Sequence, residues 1–462
     1  MIPPRVPLVH WLGVTTLLAL IAGGCWTRVL PAIGNGTGGA SGGLGTGGSF
    51  DDGGAFDGPA YDASAVGGAT QPAFDGGFGG FGGFGGFVAT SPEKLDVLFM
   101  IDDSSSMAPF QAKMRAQVSK FIDSLVDPAT GRLPQLHVAV ISSSMGGGAW
   151  GNVNQCGSGS HPGDDRGLFQ QGPGGAGSGK CPMLAMGTTF LDNGDGLMNG
   201  PNFTGDLRDA LACTANLGDS GCGFEAPFAS IYYALSLARM GHPQNGGFLR
   251  PDARLAIVMV TNEDDCSVAA NSLLLNPSVN SVNDPTGLGA LLSYRCNEFG
   301  HLCGGQPPPH AAPPAGGVTL MNCVSAETMG KTDPLNRDPN GNPDPTMGHL
   351  WPTVADLTTF IRSLKGNPDD IFVAAIAGPP TPYRVIPFAN PAAGGEIGPT
   401  IEHSCTATTP GSEEVEYADP AVRIAQLVAG FGANGIFYPI CANDFSAAMG
   451  GIGAAIHSRL GR

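Results

Sequence analysis

Charge is scarce in this sequence, and positive charge is scarcest. Only 13% of residues are Asp, Glu, Lys or Arg, and 22 Lys and Arg stand against 39 acids, for a net charge of −17. Nucleic-acid backbones are gripped by clusters of Lys and Arg, so nucleic acid is excluded as a partner. Wholesale disorder is excluded too. Disordered chains pair low hydrophobicity with high charge, whereas 42% of this chain is hydrophobic. Beyond the N-terminus no segment approaches the ~18 continuous apolar residues that span a bilayer. There is no His-Glu-x-x-His and no Gly-x-Ser-x-Gly, and no nucleophile-and-base pair can be named. The chain is therefore expected not to be an enzyme. Cys-x₂-Cys and His-x₃₋₅-His spacings are missing, which argues against zinc.

What the chain has in excess is Gly, Pro and an odd number of Cys: 73, 39 and 11 among 462 residues. The N-terminus reads MIPPRVPLVHWLGVTTLLALIAGGC. Arg5 followed by a short apolar run over 11–22 and then small residues predicts a signal peptide over 1–24. Ala22, Gly23 and Gly24 before Cys25 resemble the lipobox of bacterial lipoproteins, although Ala22 stands where Leu is commonest. That resemblance implies a lipid on Cys25, contact with the membrane through that anchor alone, and a place in the cell envelope, on the outer membrane or the cell surface. Ordinary cleavage, with Cys25 incidental, is the alternative. With Cys25 set aside, ten Cys remain, enough for five disulfides in an exported protein. Cys156 and Cys181 flank a Gly-rich loop, Cys213 and Cys222 bracket another, and Cys405 and Cys441 form a third expected pair. Cys266, Cys296, Cys303 and Cys323 allow three pairings.

Residues 34–87 carry 22 Gly and end in FGGFGGFGGF. No helical or strand period survives this composition, so residues 25–93 read as a flexible, weakly acidic tether. About 60 such residues reach roughly 40–45 Å root-mean-square.

From residue 94 the pattern changes. LDVLFMI (95–101), LHVAVIS (136–142), LAIVMVT (255–261), 371–377 and 435–438 read as buried strands. Helices are predicted from Pro109 to about 126 and over 207–212, 227–240, 352–365, 420–430 and 444–460. This alternation predicts an α/β domain over 94–462, doubly wound around a mostly parallel central sheet. Two inserts interrupt it, at about 143–204 and 267–350. GGAGSGKC (174–181) is a near miss to a phosphate-binding loop: Cys181 stands where Ser or Thr belongs, and no buried strand precedes it. DNGDG (192–196) and DPNGNPD (338–344) lack the terminal Glu of a calcium loop and read as turns.

The sharpest motif is DVLFMIDDSSSM. A buried strand ends in Asp102-x-Ser104-x-Ser106 and runs into a helix. In open parallel sheets, ligands bind beyond the carboxyl ends of the strands. A carboxylate and two hydroxyls in one tight loop offer the oxygen-only ligation that Mg²⁺ prefers. Helix capping needs only one such residue.

Strand, D-x-S-x-S loop and α/β order together resemble a von Willebrand factor type A (VWA) domain, of the kind carried by exported bacterial lipoproteins, across roughly 94–460. The resemblance implies a Rossmann-like fold and a divalent cation, Mg²⁺ or alternatively Ca²⁺ or Mn²⁺, at a metal-ion-dependent adhesion site. In the family a partner's acidic residue often completes the coordination. Asp102, Ser104 and Ser106 match the family's first loop. Its third loop normally reads Thr-Asp, and here Thr261-Asn262 replaces the acid with an amide. Glu263, Asp264 and Asp265 follow, either as compensating charge, with Asp264 and Asn262 in the ligand set, or as a solvated loop at a helix N-terminus. The second loop, GDSGCGFEAP, lacks the family's Thr, which makes Glu225 the candidate with Ser220 behind it. The expected function is a lipid-anchored binding module for an acidic protein or matrix ligand. The alternative is a structural envelope protein with a degenerate metal site.

Overall fold

The apolar runs sort themselves by the period of a strand. In β1 (Lys94–Ile101) Leu95, Val97, Phe99 and Ile101 face one layer of helices, while Leu98 and Met100 face another. Burial on both faces is what a central strand of a helix-covered parallel sheet requires.

A computed structural model describes residues 93–460 apart from 152, 154–155, 157–163, 173–179, 196–198, 270–271, 278–287, 328–349, 391–394 and 409–414. The signal peptide, Cys25, the tether up to residue 92 and the DPNGNPD turn lie outside the described residues.

The fold is α/β, with a mostly parallel central sheet between two helical layers. β2 (Gln135–Ser142) and β4 (Arg254–Val260) flank β1, and both run parallel to it. Beyond β4 lie β8 (Ile371–Ala377) and β13 (Gly435–Pro439), also parallel. Beyond β2 lies β3 (Leu191–Asp192), a two-residue antiparallel edge. The order β13-β8-β4-β1-β2-β3 builds outward from β1 in one direction and then crosses to its other side. The strand order therefore reverses between β1 and β4, the switch point at which doubly wound sheets bind ligands.

One face is covered by α1 (Ala108–Ala116), α2 (Val118–Ser124), α3 (Leu207–Thr214) and α8 (Ser446–His457). The other is covered by α4 (Pro227–Met240), α6 (Val354–Arg362) and α7 (Val422–Ala429). Pro109 and Pro227 open α1 and α4, where the missing N–H has no helical partner to lose. The single helix predicted from Pro109 to about 126 is in fact two, divided at Gln117.

The second insert contains α5 (Tyr294–Gly300) and the short ribbon β5 (His301–Cys303) with β7 (Cys323–Ser325). β6 (Val318–Leu320) joins β9 (Tyr383–Asn390) and β10 (Glu396–Glu402) in a three-stranded antiparallel sheet. β11 (Cys405–Thr408) and β12 (Val415–Ala418) form a separate ribbon.

Five disulfides join Cys156–Cys222, Cys181–Cys213, Cys266–Cys296, Cys303–Cys323 and Cys405–Cys441. They are the signature of a protein exported to an oxidising compartment. The Cys156–Cys181 and Cys213–Cys222 pairings expected from loop closure are replaced by longer-range ones. Met183 and Leu184, ahead of the edge strand, pack against the core face carrying α3, and Cys181 meets Cys213 there. Cys156 packs with Val153 and Phe224, next to Cys222. No helix among the described residues is long and apolar enough to cross a membrane.

Candidate functional site

β1 and β4 end side by side at the switch point. The Asp102 N–H donates to the Val260 carbonyl (2.9 Å), and the Thr261 N–H donates to Ile376 at the end of β8 (3.2 Å). Asp102 is fully buried. Its Oδ1 accepts from the Ser104 N–H (2.8 Å) and the Ser143 hydroxyl (3.2 Å), and its Oδ2 accepts from the Thr261 hydroxyl (2.6 Å). Burial nevertheless raises its pKa above the ordinary carboxylate value, with the Thr261 and Ser104 hydrogen bonds offsetting part of the rise.

The Ser104 and Ser106 hydroxyls lie 3.4 Å apart, with Ser104 buried and Ser106 half-buried. Ser106 donates to Asn262 Oδ1 (3.1 Å), and Asn262 Nδ2 donates to the Tyr417 carbonyl (3.0 Å). Asp102, Ser104, Ser106 and Asn262 thus meet in one place.

Glu225 is 1% exposed. Cys266 N–H donates to the Glu225 carbonyl (2.7 Å), tying the second loop to the third. The Glu225 carboxyl is hydrogen-bonded to that of Glu263, and both feel the charge of Asp102. Burial raises Glu225 well above its ordinary value, and the negative charges of Glu263 and Asp102 push it further. Glu263 is half-buried at the rim. Burial, followed by the Asp419 charge, lifts its pKa to about 8.

Asp264 is turned away from this site. Its Oδ2 accepts from the Arg423 N–H (2.9 Å) and lies 2.9 Å from His301 Nε2, and its Oδ1 accepts from the N–H groups of Ile424 (3.2 Å) and Asp265 (2.9 Å). The unpaired N–H donors at the start of α7 capture this carboxylate, so Glu263, one residue earlier, takes the place expected of it. Asp265 is held by the Arg423 guanidinium (3.1 Å), and Asp419 Oδ1 lies 2.6 Å from His403 Nδ1. The Arg423 guanidinium is thus engaged by Asp265, and the His301 and His403 rings lie against Asp264 and Asp419. Among the described residues no ion pair reaches Asp102, Glu225 or Glu263.

Two further groups shape the loops. Gln111, inside α1, donates from Nε2 to the carbonyls of Asp102 (2.8 Å) and Gly218 (2.7 Å), and its Oε1 accepts from the N–H groups of Leu217 and Gly218 (3.2 Å each). Both amide ends are used, and α1 is thereby clamped to the first and second loops. A buried Gln on a helix face carries no sequence signal for this. Ser143 and Ser144, at the end of β2, bind the carboxylates of Asp102 and Asp103. Burial, and then the charge of Asp165, holds Asp103 well above the ordinary carboxylate range. Ser220, expected behind Glu225, lies at the exposed turn just before Gly221.

Among the described residues no three His, Cys, Asp or Glu side chains are already arranged to hold a metal ion. A cation here has to draw on the hydroxyls as well. The donor set of carboxyls and Ser hydroxyls is all oxygen, which suits a hard divalent cation. The near phosphate-loop at 174–181 lies mostly outside the described residues, and its Cys181 is disulfide-bonded. Asp192 and Asp195 of the DNGDG turn accept hydrogen bonds from the local N–H groups of Gly194 (2.8 Å) and Asn199 (2.9 Å).

No family model matches the chain, and no curated protein matches it. Among solved structures it has a likeness to SpaC, a pilus adhesin of Lactobacillus rhamnosus GG, at 9% identity and a TM-score of 0.32, covering 80% of this chain and 31% of that one. A second likeness, to the pilus adhesin RrgA of Streptococcus pneumoniae, has 12% identity and a TM-score of 0.20, covering 61% of this chain and 42% of that one. The chain thus spans less than half the length of either protein, and scores of this size do not establish a shared fold.

Proposed function

We propose that the chain is a lipid-anchored, extracytoplasmic binding module of the VWA type, which engages an acidic group of a protein or matrix partner through a divalent cation. The observation that carries this reading is the convergence of Asp102, Ser104, Ser106 and Thr261 at the switch point, beside the carboxyls of Glu225 and Glu263, which no ion pair among the described residues reaches. The antiparallel edge strand and the strand order support the VWA resemblance drawn from the D-x-S-x-S loop. Asp102, Ser104 and Ser106 would hold the ion, Thr261 and Ser143 would orient the Asp102 carboxylate, and Glu225 and Glu263 would supply charge in place of the acid that Asn262 lacks. When bound, the cation supplies a hard contact for a partner's carboxylate. No part of this reading calls for catalysis.

One observation favours a second reading, a structural envelope protein with a degenerate site. The Ser106 hydroxyl already donates to Asn262, which itself holds the β11–β12 ribbon. The two readings separate in a pull-down from envelope extracts with the mature protein as bait. Adhesion predicts a partner retained in divalent cation, released by chelator and absent from the Asp102→Ala bait. Retention indifferent to both would favour the structural reading. Mass spectrometry of the mature N-terminus tests the anchor: an unacylated residue other than Cys25 there refutes it.

A further inference from the structure

We propose that the outer side of the α4 and α6 layer carries a second binding surface, whose occupant is an acidic polysaccharide. The surface is separate from the cation loop and does not depend on the function proposed for that loop.

Four partly exposed rings adjoin one another there. Phe360 of α6 lies 4.4 Å from Tyr232 of α4, centroid to centroid, Tyr232 lies 5.0 Å from Trp351, and Trp351 lies 6.0 Å from Tyr233. Tyr233 is 41% exposed and the other three are half-buried. Tyr232 and Phe360 rest on the core beneath, and Trp351 and Tyr233 continue the row. Among the described residues nothing pairs with the two Tyr hydroxyls or with the Trp351 indole N–H. The row therefore offers ring faces together with three polar tips.

Arginines stand at both ends. The Arg239 guanidinium lies 5.8 Å over the Phe360 ring, and Arg362 lies 5.6 Å over Phe431. Among the described residues neither has an ion pair, in a chain whose net charge is −17. At the Tyr233 end, Arg166 is held at a φ of 50°, a left-handed conformation that a long side chain rarely adopts. The next residue explains how it is held. A Cβ on Gly167 would lie 2.7 Å from the Ala234 nitrogen and 3.1 Å from Tyr233 Cβ, so the loop is pressed onto α4, and Asn245 Nδ2 donates to the Gly167 carbonyl (2.8 Å). Asp164 accepts from Arg166 Nε (2.7 Å) and Nη2 (2.9 Å), which leaves Nη1 for a ligand. Backbone strain of this kind gathers at binding sites.

The chemistry of the row selects its occupant. A pyranose presents a face of C–H groups, made slightly positive by the ring oxygens, that stacks on the negative face of an aromatic ring. Its hydroxyls can pair with the phenol and indole tips, which a purely apolar partner would leave unsatisfied. A carboxylate on the sugar meets the donor fork of an Arg. Peptide strands add to sheet edges and peptide helices lie in apolar grooves, and a row of rings with unpaired polar tips is neither.

The test is calorimetric titration of the mature protein with sodium polygalacturonate, dextran and poly-L-glutamate, in chelator throughout so that the cation loop takes no part. It is repeated on Tyr233→Ala, Arg239→Gln and Asp102→Ala, with thermal melting to confirm that each folds. The wild type is expected to bind polygalacturonate saturably, and dextran and polyglutamate at least about fivefold more weakly. Tyr233→Ala and Arg239→Gln are each expected to lose at least about fivefold in affinity, as truncation of an interface anchor does, and Asp102→Ala none. If Tyr233→Ala does not fold, Arg239→Gln at its exposed position carries the test. No binding of polygalacturonate, equal binding of polyglutamate, or affinity unchanged in the folded variants would overturn the inference and leave the cation loop untouched. Loss of polygalacturonate binding in Asp102→Ala would overturn it as well, by moving the ligand to that loop.

Discussion

The Thr261 hydroxyl donates to Asp102 Oδ2 across 2.6 Å, joining the ends of β4 and β1 where the strand order of the sheet reverses. This contact orients the carboxylate at the centre of the proposed site, and it also offsets part of the cost of burying it. Thr261→Val keeps the shape and deletes the donor. A buried acceptor that loses its partner costs about 1–3 kcal/mol. The variant should melt at lower temperature and bind divalent cation more weakly, whereas Thr261→Ser should restore both. Thermal melting and calorimetric titration of the two variants check this.

Asn262 stands where the resembling family has an acid, and it bridges Ser106 to the Tyr417 carbonyl. Asn262→Asp adds charge at the site but replaces a donor with an acceptor facing that carbonyl. The expected outcome is tighter cation binding together with lower stability in chelator. Both are read by melting the protein with and without the ion.

Gly221 lies against Asp103. A Cβ at residue 221 would sit 2.3 Å from the Asp103 carboxyl and 2.6 Å from its carbonyl oxygen. Because one of these contacts is backbone, the second loop has to shift. Forcing a methyl into a packed site costs roughly 1–3 kcal/mol, so Gly221→Ala should lower the denaturant midpoint by a corresponding amount. It should also weaken cation binding, because the same loop carries Glu225.

The buried carboxyls make the cation-free protein sensitive to pH in a defined direction. Glu263 has a folded pKa of about 8 against an ordinary 4.5. Its contribution to stability is complete below 4.5 and is lost as pH rises through about 8, because the unfolded chain releases the proton first. Glu225 shifts the same way. His137 opposes this at the acid end. Burial lowers its pKa below 6.5, so its contribution is lost as pH falls below that value. In chelator the melting temperature should therefore decline from about pH 6.5 towards 8.5, and Glu263→Gln should flatten that decline. Differential scanning calorimetry across the range measures both.

The parts of the fold visible in the sequence are those governed by continuous burial. β8 and β4 after Arg254 are continuous apolar runs, β1 and β2 are interrupted inside only by Asp96 and His137, and α4 is set by Pro227 at its first position and Gly241, at φ 72°, after it. The parts that were not visible depend on contacts distant in sequence. β3 is two residues long; the Asn193 side chain, accepting from the Leu136 N–H, helps hold it beside β2, and Asn202 braces it from the following loop by accepting from the Asp192 N–H. β9 and β10 carry Pro387 and Pro399 opposite each other, and Pro ordinarily argues against a strand. Within the site, Asp102, Ser104 and Ser106 follow from one local motif. The choice between Glu263 and Asp264 does not, because it depends on where the N-terminus of α7 arrives in space.

The central claim is that the loop beginning at Asp102 binds a divalent cation. Calorimetric titration of the mature protein with Mg²⁺, Mn²⁺ and Ca²⁺, alongside its Asp102→Ala variant, tests it most directly. The account predicts saturable binding with one ion per chain in the wild type and none in the variant. No saturable binding to either protein, or equal binding to both, would contradict it.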